Sequence, residues 1–235
     1  MSERTKLIVA LDEPTMAGAR ALATKVRAHV DMLKVGLELF VEAGPSAVAL
    51  GRELERPVFL DLKLHDIPET VERAVARASQ LGASLLTVHA QGGTTMVRRA
   101  VERAAAEGGT LTIAAVTVLT SFDESDLRGI GIDGAVSAHA QRLARLAFDA
   151  GVRTFICSPA EVASLRDALG ETARFVTPGV RPSGAAAGDQ KRIATPEAAA
   201  RAGASAIVVG RPIRDASDPA AAARAIAEEL ARATS

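Results

Sequence analysis

Val58-Phe59-Leu60-Asp61-Leu62-Lys63-Leu64-His65-Asp66-Ile67-Pro68-Glu69-Thr70, running on into Val71-Glu72-Arg73-Ala74-Val75-Ala76-Arg77-Ala78-Ser79-Gln80, reads as one strand followed by one helix. The opening is apolar and short, as a buried strand over Val58 to Lys63 would be. Pro68 suits the first turn of a helix, and the Ala/Val/Arg periodicity that follows carries that helix over 67–80. Within the strand, alternate residues face the same way, so Asp61 and Lys63 point together while Leu60, Leu62 and Leu64 point oppositely.

The same unit recurs on both sides of this stretch. Strands are predicted over Lys6 to Asp12, Met32 to Gly36, Val58 to Lys63, Ser84 to His89, Leu111 to Val118, Thr154 to Cys157, Arg174 to Thr177 and Ala206 to Gly210. Helices are predicted over 14–28, 38–52, 67–80, 94–107, 137–150, 159–169, 196–202 and 218–232. The strands are continuously apolar and the helices amphipathic, as expected of parallel strands covered by helices. The pairs Ala43-Gly44, Leu81-Gly82, Ala150-Gly151 and Ala202-Gly203 fit glycine caps that end a helix. At about 150 residues per domain the length allows one domain or two. Eight βα units over residues 1–235 predict a single α/β domain, a TIM (β/α)8 barrel, with a doubly wound open sheet as the alternative.

Two connections exceed the usual two to six residues, 119–135 and 178–193. The second, PGVRPSGAAAGDQKRI, combines small residues with Arg181, Asp189, Gln190, Lys191 and Arg192, and a mobile loop that closes on a ligand is expected there.

Composition removes several function classes. Lys plus Arg and Asp plus Glu number 28 each, so no global positive field draws in nucleic acid. With no Trp and no Tyr, stacking platforms for single strands are missing too. The lone Cys157 cannot close an intramolecular disulfide, and the apolar run near the N-terminus is too short for a signal segment. Charged residues interrupt every Ala-rich helix before the roughly 18 to 20 apolar residues of a membrane span accumulate. A soluble cytoplasmic protein with neither membrane nor nucleic-acid partner is the expectation.

Chemistry concentrates at the C-terminal ends of the predicted strands, the face on which barrels build active sites. Asp61 and Lys63 share one side, and Asp66 follows in the loop. Carboxylates on either side of an ammonium favour its charged form, so Lys63 is expected to act as a general acid rather than as a base or Schiff-base nucleophile. The competing reading is an ion pair that only holds the barrel together, and burying charges for that purpose is energetically doubtful. Asp12 closes the first strand, Lys34 lies in the second and His89 closes the fourth. His65 is assigned to the leucine side of its strand, and neither histidine receives a chemical role. Val208-Val209-Gly210-Arg211-Pro212 ends the eighth strand, where barrels hold phosphate. There Gly210 admits a backbone N–H and Arg211 supplies a bidentate fork, joined by Arg181 and Gln190 from the long loop. No metal-ligand set, dinucleotide fingerprint or Walker pattern is present, so a phosphorylated small molecule processed without metal or cofactor is expected.

These residues, in order along nearly the whole chain, resemble the orotidine 5′-monophosphate decarboxylases in their bacterial form. The resemblance is carried by Leu7-Ile8-Val9-Ala10-Leu11-Asp12, Leu33-Lys34-Val35-Gly36, Asp61 through Thr70, Val88-His89-Ala90 and Val116-Thr117-Val118-Leu119-Thr120-Ser121. It continues through Thr177-Pro178-Gly179-Val180-Arg181-Pro182, Gly188-Asp189-Gln190 and Val209-Gly210-Arg211-Pro212-Ile213. The Asp-x-Lys-x-x-Asp core alone is shared with keto-gulonate phosphate decarboxylase and hexulose phosphate synthase, so a magnesium-dependent sugar-phosphate lyase stands as the alternative. The Pro-Gly-x-Arg-Pro loop and the Leu-Thr-Ser segment are similar to the orotidylate enzymes specifically. A nucleotide-binding protein that has lost turnover is a third reading, against which Lys63 with both aspartates argues.

The resemblance implies cofactor-independent decarboxylation of orotidine 5′-monophosphate, the last step of pyrimidine nucleotide synthesis. It implies that Lys63 protonates C6 of the pyrimidine as carbon dioxide leaves, within a charge network of Lys34, Asp61 and Asp66. It further implies Asp12 and Lys34 on the ribose hydroxyls, Thr120 on the pyrimidine edge, and Gln190, Arg181, Gly210 and Arg211 at the phosphate, with Pro178 also against substrate. A homodimer is implied, in which Asp66, Ile67 and Thr70 reach the partner's site.

Overall fold

Alternate residues of each strand face two different apolar layers, and that alternation explains the architecture. Leu7, Val9, Leu33, Val35, Leu60, Leu86 and Val88 join the layer between strands and helices. Ile8, Ala10, Phe59, Leu85, Ala114, Val116, Ile156, Val176, Ala206 and Val208 fill the interior of a closed ring. Both faces of the strands are buried, as parallel sheets require. The computed structural model describes residues 4–182 and 194–233.

The first half of the chain runs β1 (Lys6–Ala10), α1 (Met16–Val26), β2 (Met32–Gly36), α2 (Leu37–Ala43), α3 (Pro45–Leu54), β3 (Val58–Leu64), α4 (Pro68–Gln80) and β4 (Leu85–His89). The middle follows with α5 (Gly93–Ala106), β5 (Thr112–Val116), α6 (Glu124–Gly129), α7 (Val136–Asp149), β6 (Thr154–Ile156) and α8 (Val162–Leu169). The last part comprises β7 (Arg174–Thr177), α9 (Pro196–Arg201), β8 (Ala206–Val209), α10 (Arg211–Arg214) and α11 (Pro219–Ala233). All neighbouring strands pair in parallel, and β1 pairs with both β2 and β8, which closes the barrel. The Thr5 hydroxyl donates to the Ala204 carbonyl at 2.8 Å beside that seam.

The expected barrel is therefore present, with local differences. The strand predicted over Lys6 to Asp12 ends at Ala10 and that predicted over Leu111 to Val118 spans Thr112–Val116, although the Leu11 and Thr117 N–H groups still donate to the Lys34 and Ile156 carbonyls of the neighbouring strands. The helix predicted over 38–52 is two helices: Gly44 turns back at φ 54 and Pro45 starts afresh. Connection 119–135 contains α6, where the Asp123 carboxylate accepts from the Ser125 and Asp126 N–H groups and Asp126 accepts from the Asp123 N–H.

One irregularity shapes the site. Leu60 pairs with Leu86 and Leu64 with Val88, so four steps along β3 are matched by two along β4. The surplus is absorbed at Lys63, whose φ of 50 lies in the left-handed region. For a residue with a Cβ that conformation costs about 1–2 kcal/mol and persists only where neighbours over-determine it.

Candidate active site

The inward parity of the strands delivers four charged side chains to the C-terminal mouth. Lys34 lies two residues after inward-facing Met32, Asp61 two after Phe59, and Asp12 two after Ala10. The Lys63 ammonium donates to both Asp61 carboxylate oxygens at 2.9 Å. Lys34 donates to Asp12 at 3.0 Å and stands 3.7 Å from Asp61 Oδ2. Two ammonium groups and two carboxylates thus alternate, Asp12, Lys34, Asp61, Lys63. Lys34 and Asp61 are largely buried, whereas the Asp12 side chain is nearly half exposed. Asp61 tolerates its partial desolvation because it meets both ammonium groups and the Thr87 hydroxyl, while Asp12 keeps contact with solvent. Gly36 makes room for the row: a Cβ there would lie 3.0 Å from the Lys34 nitrogen and 3.2 Å from the Asp12 oxygen.

This row forms one end of a cavity of about 380 Å³. Ala10, Phe59, Ile156 and Val208 give its apolar floor, Leu119, Thr120 and Ser121 one wall, and Pro178, Gly179, Arg181, Gly210, Arg211 and Arg214 the far end. The near end is electrically balanced and the far end carries three guanidinium groups. An elongated ligand with a doubly charged anion at one terminus fits that polarity. Arg181 is buried, and its N–H donates to the Ala194 carbonyl at 2.9 Å, where Val180 and Ala194 form a bridge.

Most expected residues converge here: Asp12, Lys34, Asp61, Lys63, Thr120, Pro178, Arg181, Gly210 and Arg211 all line the cavity. Gln190, with most of the 178–193 segment, lies outside the described residues. Asp66, Ile67 and Thr70 do not join the cavity of their own chain; all three are exposed, and Asp66 accepts from the Ile67 N–H at 2.6 Å. The flanking of Lys63 by two carboxylates is therefore not met within one chain: the left-handed turn at Lys63 leads the chain out of the strand before Asp66. The assignment of His65 to the leucine side fails as well, because alternation itself groups residues 61, 63 and 65 on one face and the leucines on the other. The His65 side chain is exposed, with the ring centred 5.6 Å from that of His89.

His89 is partly buried, and burial, then the charges of His65 and Lys63, push its pKa down to about 4. It is therefore neutral at pH 7, and its Nδ1 has no hydrogen-bond partner. Among the described residues, no group of three or more His, Cys, Asp or Glu could hold a metal ion, and no helix is long and apolar enough to cross a membrane.

Two contributors escaped the sequence reading. Arg214 lines the cavity and donates to the Asp12 carbonyl at 2.8 Å; Asp215 beside it raises the guanidinium pKa further. One turn of α10 separates it from Arg211, and that spacing was its only signal. Thr87, fully buried in β4, bonds to both Asp61 and Lys63. A polar residue in an otherwise apolar strand, two positions before His89 and so on the inward face, was the available sign.

Comparison with known proteins places the chain in a family. The model of the family described as Orotidine 5'-phosphate decarboxylase / HUMPS family matches residues 5–226. A protein of Anaeromyxobacter sp. (strain K) named Orotidine 5'-phosphate decarboxylase is 56% identical over 230 residues, 98% of this chain and 100% of its own. One of the same name from Thermobifida fusca is 52% identical over 225 residues, 95% of each chain. The crystal structure of Orotidine 5'-phosphate decarboxylase from Lactobacillus acidophilus superposes with a TM-score of 0.86 at 37% identity, covering 97% of this chain and 99% of that one.

Proposed function

The chain belongs to the orotidine 5′-phosphate decarboxylase / HUMPS family, and from that membership we infer that it is a carboxy-lyase converting orotidine 5′-monophosphate to uridine 5′-monophosphate and carbon dioxide in pyrimidine nucleotide synthesis. The magnesium-dependent sugar-phosphate alternative is not favoured, since relatives matching nearly the full chain carry the orotidylate name.

The chemical difficulty is that loss of carbon dioxide leaves its bonding electron pair on C6, an sp² carbon with no adjacent electron sink. No cofactor is invoked to supply one, so charge on the protein must. Lys63 is the donor: as the bond from C6 to the carboxylate carbon breaks, the electron pair left on C6 takes a proton from Nζ, and the amine regains one from solvent. The observation that carries this reading is the Lys63 ammonium fixed in the cavity by both Asp61 oxygens at 2.9 Å. A charge already in place stabilises the developing carbanion without reorganising solvent.

Around that step, Asp12 and Lys34 hold the ribose hydroxyls and Thr120 the pyrimidine edge. Pro178, Arg181, Gln190, Gly210 and Arg211 receive the phosphate end, and the 178–193 segment closes over it. Closure excludes water and couples phosphate binding to the rate at C6. A homodimer supplies Asp66, Ile67 and Thr70 to the partner's cavity, completing the row with a second carboxylate at Lys63; the 66% exposure of Ile67 and 82% exposure of Val41 support such a face. The enzyme works in the cytoplasm, without metal or cofactor.

The test is the fall in near-ultraviolet absorbance as the orotate ring is consumed, with EDTA present. Turnover of orotidine 5′-monophosphate is expected, and Lys63→Ala is expected to abolish it while leaving the circular dichroism of a folded protein. Activity on a keto-sugar phosphate that EDTA removes, with none on orotidylate, would overturn the reading.

A further inference from the structure

The bulge in β3 leaves a stretch of backbone without its ladder, and one side chain of β4 fills the gap. Between the pairs Leu60 with Leu86 and Leu64 with Val88, residues 61–63 of β3 face Thr87 alone. Thr87 is fully buried, and its hydroxyl oxygen accepts from the Lys63 backbone N–H at 2.8 Å. The hydroxyl proton is then directed at the acceptor-only carboxylate of Asp61, whose Oδ1 lies 3.0 Å away. The same Oδ1 receives the Lys63 ammonium at 2.9 Å. One hydroxyl thus closes a small ring: Lys63 backbone, Thr87, Asp61, Lys63 ammonium.

We propose that Thr87 is a positioning residue for the decarboxylation, holding the left-handed backbone of Lys63 and the carboxylate that aims its ammonium in one fixed relation. The proposal rests on the reading of Lys63 as proton donor. Lys63 pairs a strained backbone, φ 50, with a long side chain, and each alone could relax away from the reactive carbon. Valine has nearly the shape of threonine but neither donates nor accepts. In Thr87→Val the Lys63 N–H and one site on Asp61 Oδ1 lose their partner in a buried position, while the phosphate end of the cavity is untouched. Serine keeps the hydroxyl and loses only the methyl.

Steady-state kinetics on Thr87→Val and Thr87→Ser, with thermal melts and binding of uridine 5′-monophosphate measured on the same samples, test this. Thr87→Val is expected to lower kcat about tenfold or more while KM and nucleotide affinity stay within about threefold, the split of an interaction that matters in the transition state. Thr87→Ser is expected to restore kcat to within about threefold of the parent. If Thr87→Val keeps its kcat within about threefold, or if Thr87→Ser is as impaired as Thr87→Val, the hydroxyl does not position anything and the proposal fails. Should the valine variant not fold, Thr87→Ala replaces it beside Thr87→Ser: a loss of kcat that serine restores upholds the role of the hydroxyl, and equal rates in the two variants remove it. Lys63→Ala, run alongside, separates the two readings. Its loss of turnover beside an active Thr87→Val removes only the role of Thr87, whereas its retention of turnover removes Lys63 as donor.

Discussion

Lys34 Nζ stands 3.7 Å from Asp61 Oδ2, so the carboxylate that holds Lys63 also balances the charge of a second strand. Asp61 therefore sits between two ammonium groups, and Lys34 between Asp61 and Asp12. Lys34→Met would leave two carboxylates with one ammonium in a largely buried row. Breaking a buried pair from one side costs about 3–5 kcal/mol, and partial solvent access at Asp12 reduces that to about 1–3 kcal/mol here. The expected outcome is a lowered denaturant midpoint together with at least a hundredfold fall in kcat/KM, about 2.7 kcal/mol at the transition state. Unchanged kcat/KM would mean that the row is structural.

Arg211 lies at the opposite end of the cavity, yet its removal should be felt at the reactive carbon. If phosphate binding drives closure, Arg211→Ala lowers kcat/KM by several kcal/mol, more than the roughly 0–1 kcal/mol of an exposed ion pair. Initial rates at low substrate measure it; a loss below about tenfold would show that Arg211 only decorates the rim.

His89 gives a pH dependence of stability with a definite sign. Its pKa in the folded protein, about 4, lies below the ordinary value of 6.5, chiefly because burial disfavours the charged ring. The unfolded chain therefore binds more protons between these values. The contribution is present in full above pH 6.5 and is lost as pH falls toward 4. Allowing for partial solvent screening, the loss is on the order of 1–2 kcal/mol. Urea unfolding at pH 7 and pH 5 should show a smaller drop for His89→Asn than for the parent chain, and equal drops would remove His89 as a source.

Gly51 on α3 packs directly over the start of β3. A Cβ there would overlap the Val58 side chain and lie 2.7 Å from the Arg56 carbonyl oxygen, so helix and strand must separate. Gly51→Ala is expected to cost about 1–3 kcal/mol through overpacking, despite the better helix propensity of alanine. Thermal melts should fall by several degrees while kcat/KM of the folded protein holds. A raised melting temperature would contradict the packing described.

The barrel was legible because its two signals, apolar strands and amphipathic helices, are each repeated eight times and depend on local periodicity. Asp61, Lys63, Lys34 and Asp12 were legible for a related reason, since charges at inward positions near strand ends stand out against apolar runs. What parity could not convey was the bulge. The strand ends at Leu64, so Asp66 lies in the loop and does not reach the ammonium of its own chain, whereas His65 sits on the face that alternation gives it, with Asp61 and Lys63 and not with the leucines. Thr87 went unnoticed because its importance arises from that same bulge, a relation between two strands that neither strand carries alone. Arg214 depends likewise on a contact with Asp12, nearly the whole chain away. The helix break at Gly44-Pro45 was visible in the residues, but the apolar rhythm continues across it and favoured one long helix.

The seam between β1 and β8, with Thr5 held to Ala204, has a consequence for biosynthesis. Lys6–Ala10 is synthesised some two hundred residues before one of its two neighbours. At about 5–20 residues per second, that edge waits roughly 10–40 s for its mate. Over that interval the nascent half-ring presents bare amide and carbonyl groups to any passing strand. Damage or truncation that removes Ala206–Val209 should therefore turn up as insoluble aggregate in the cell rather than as a soluble, inactive enzyme.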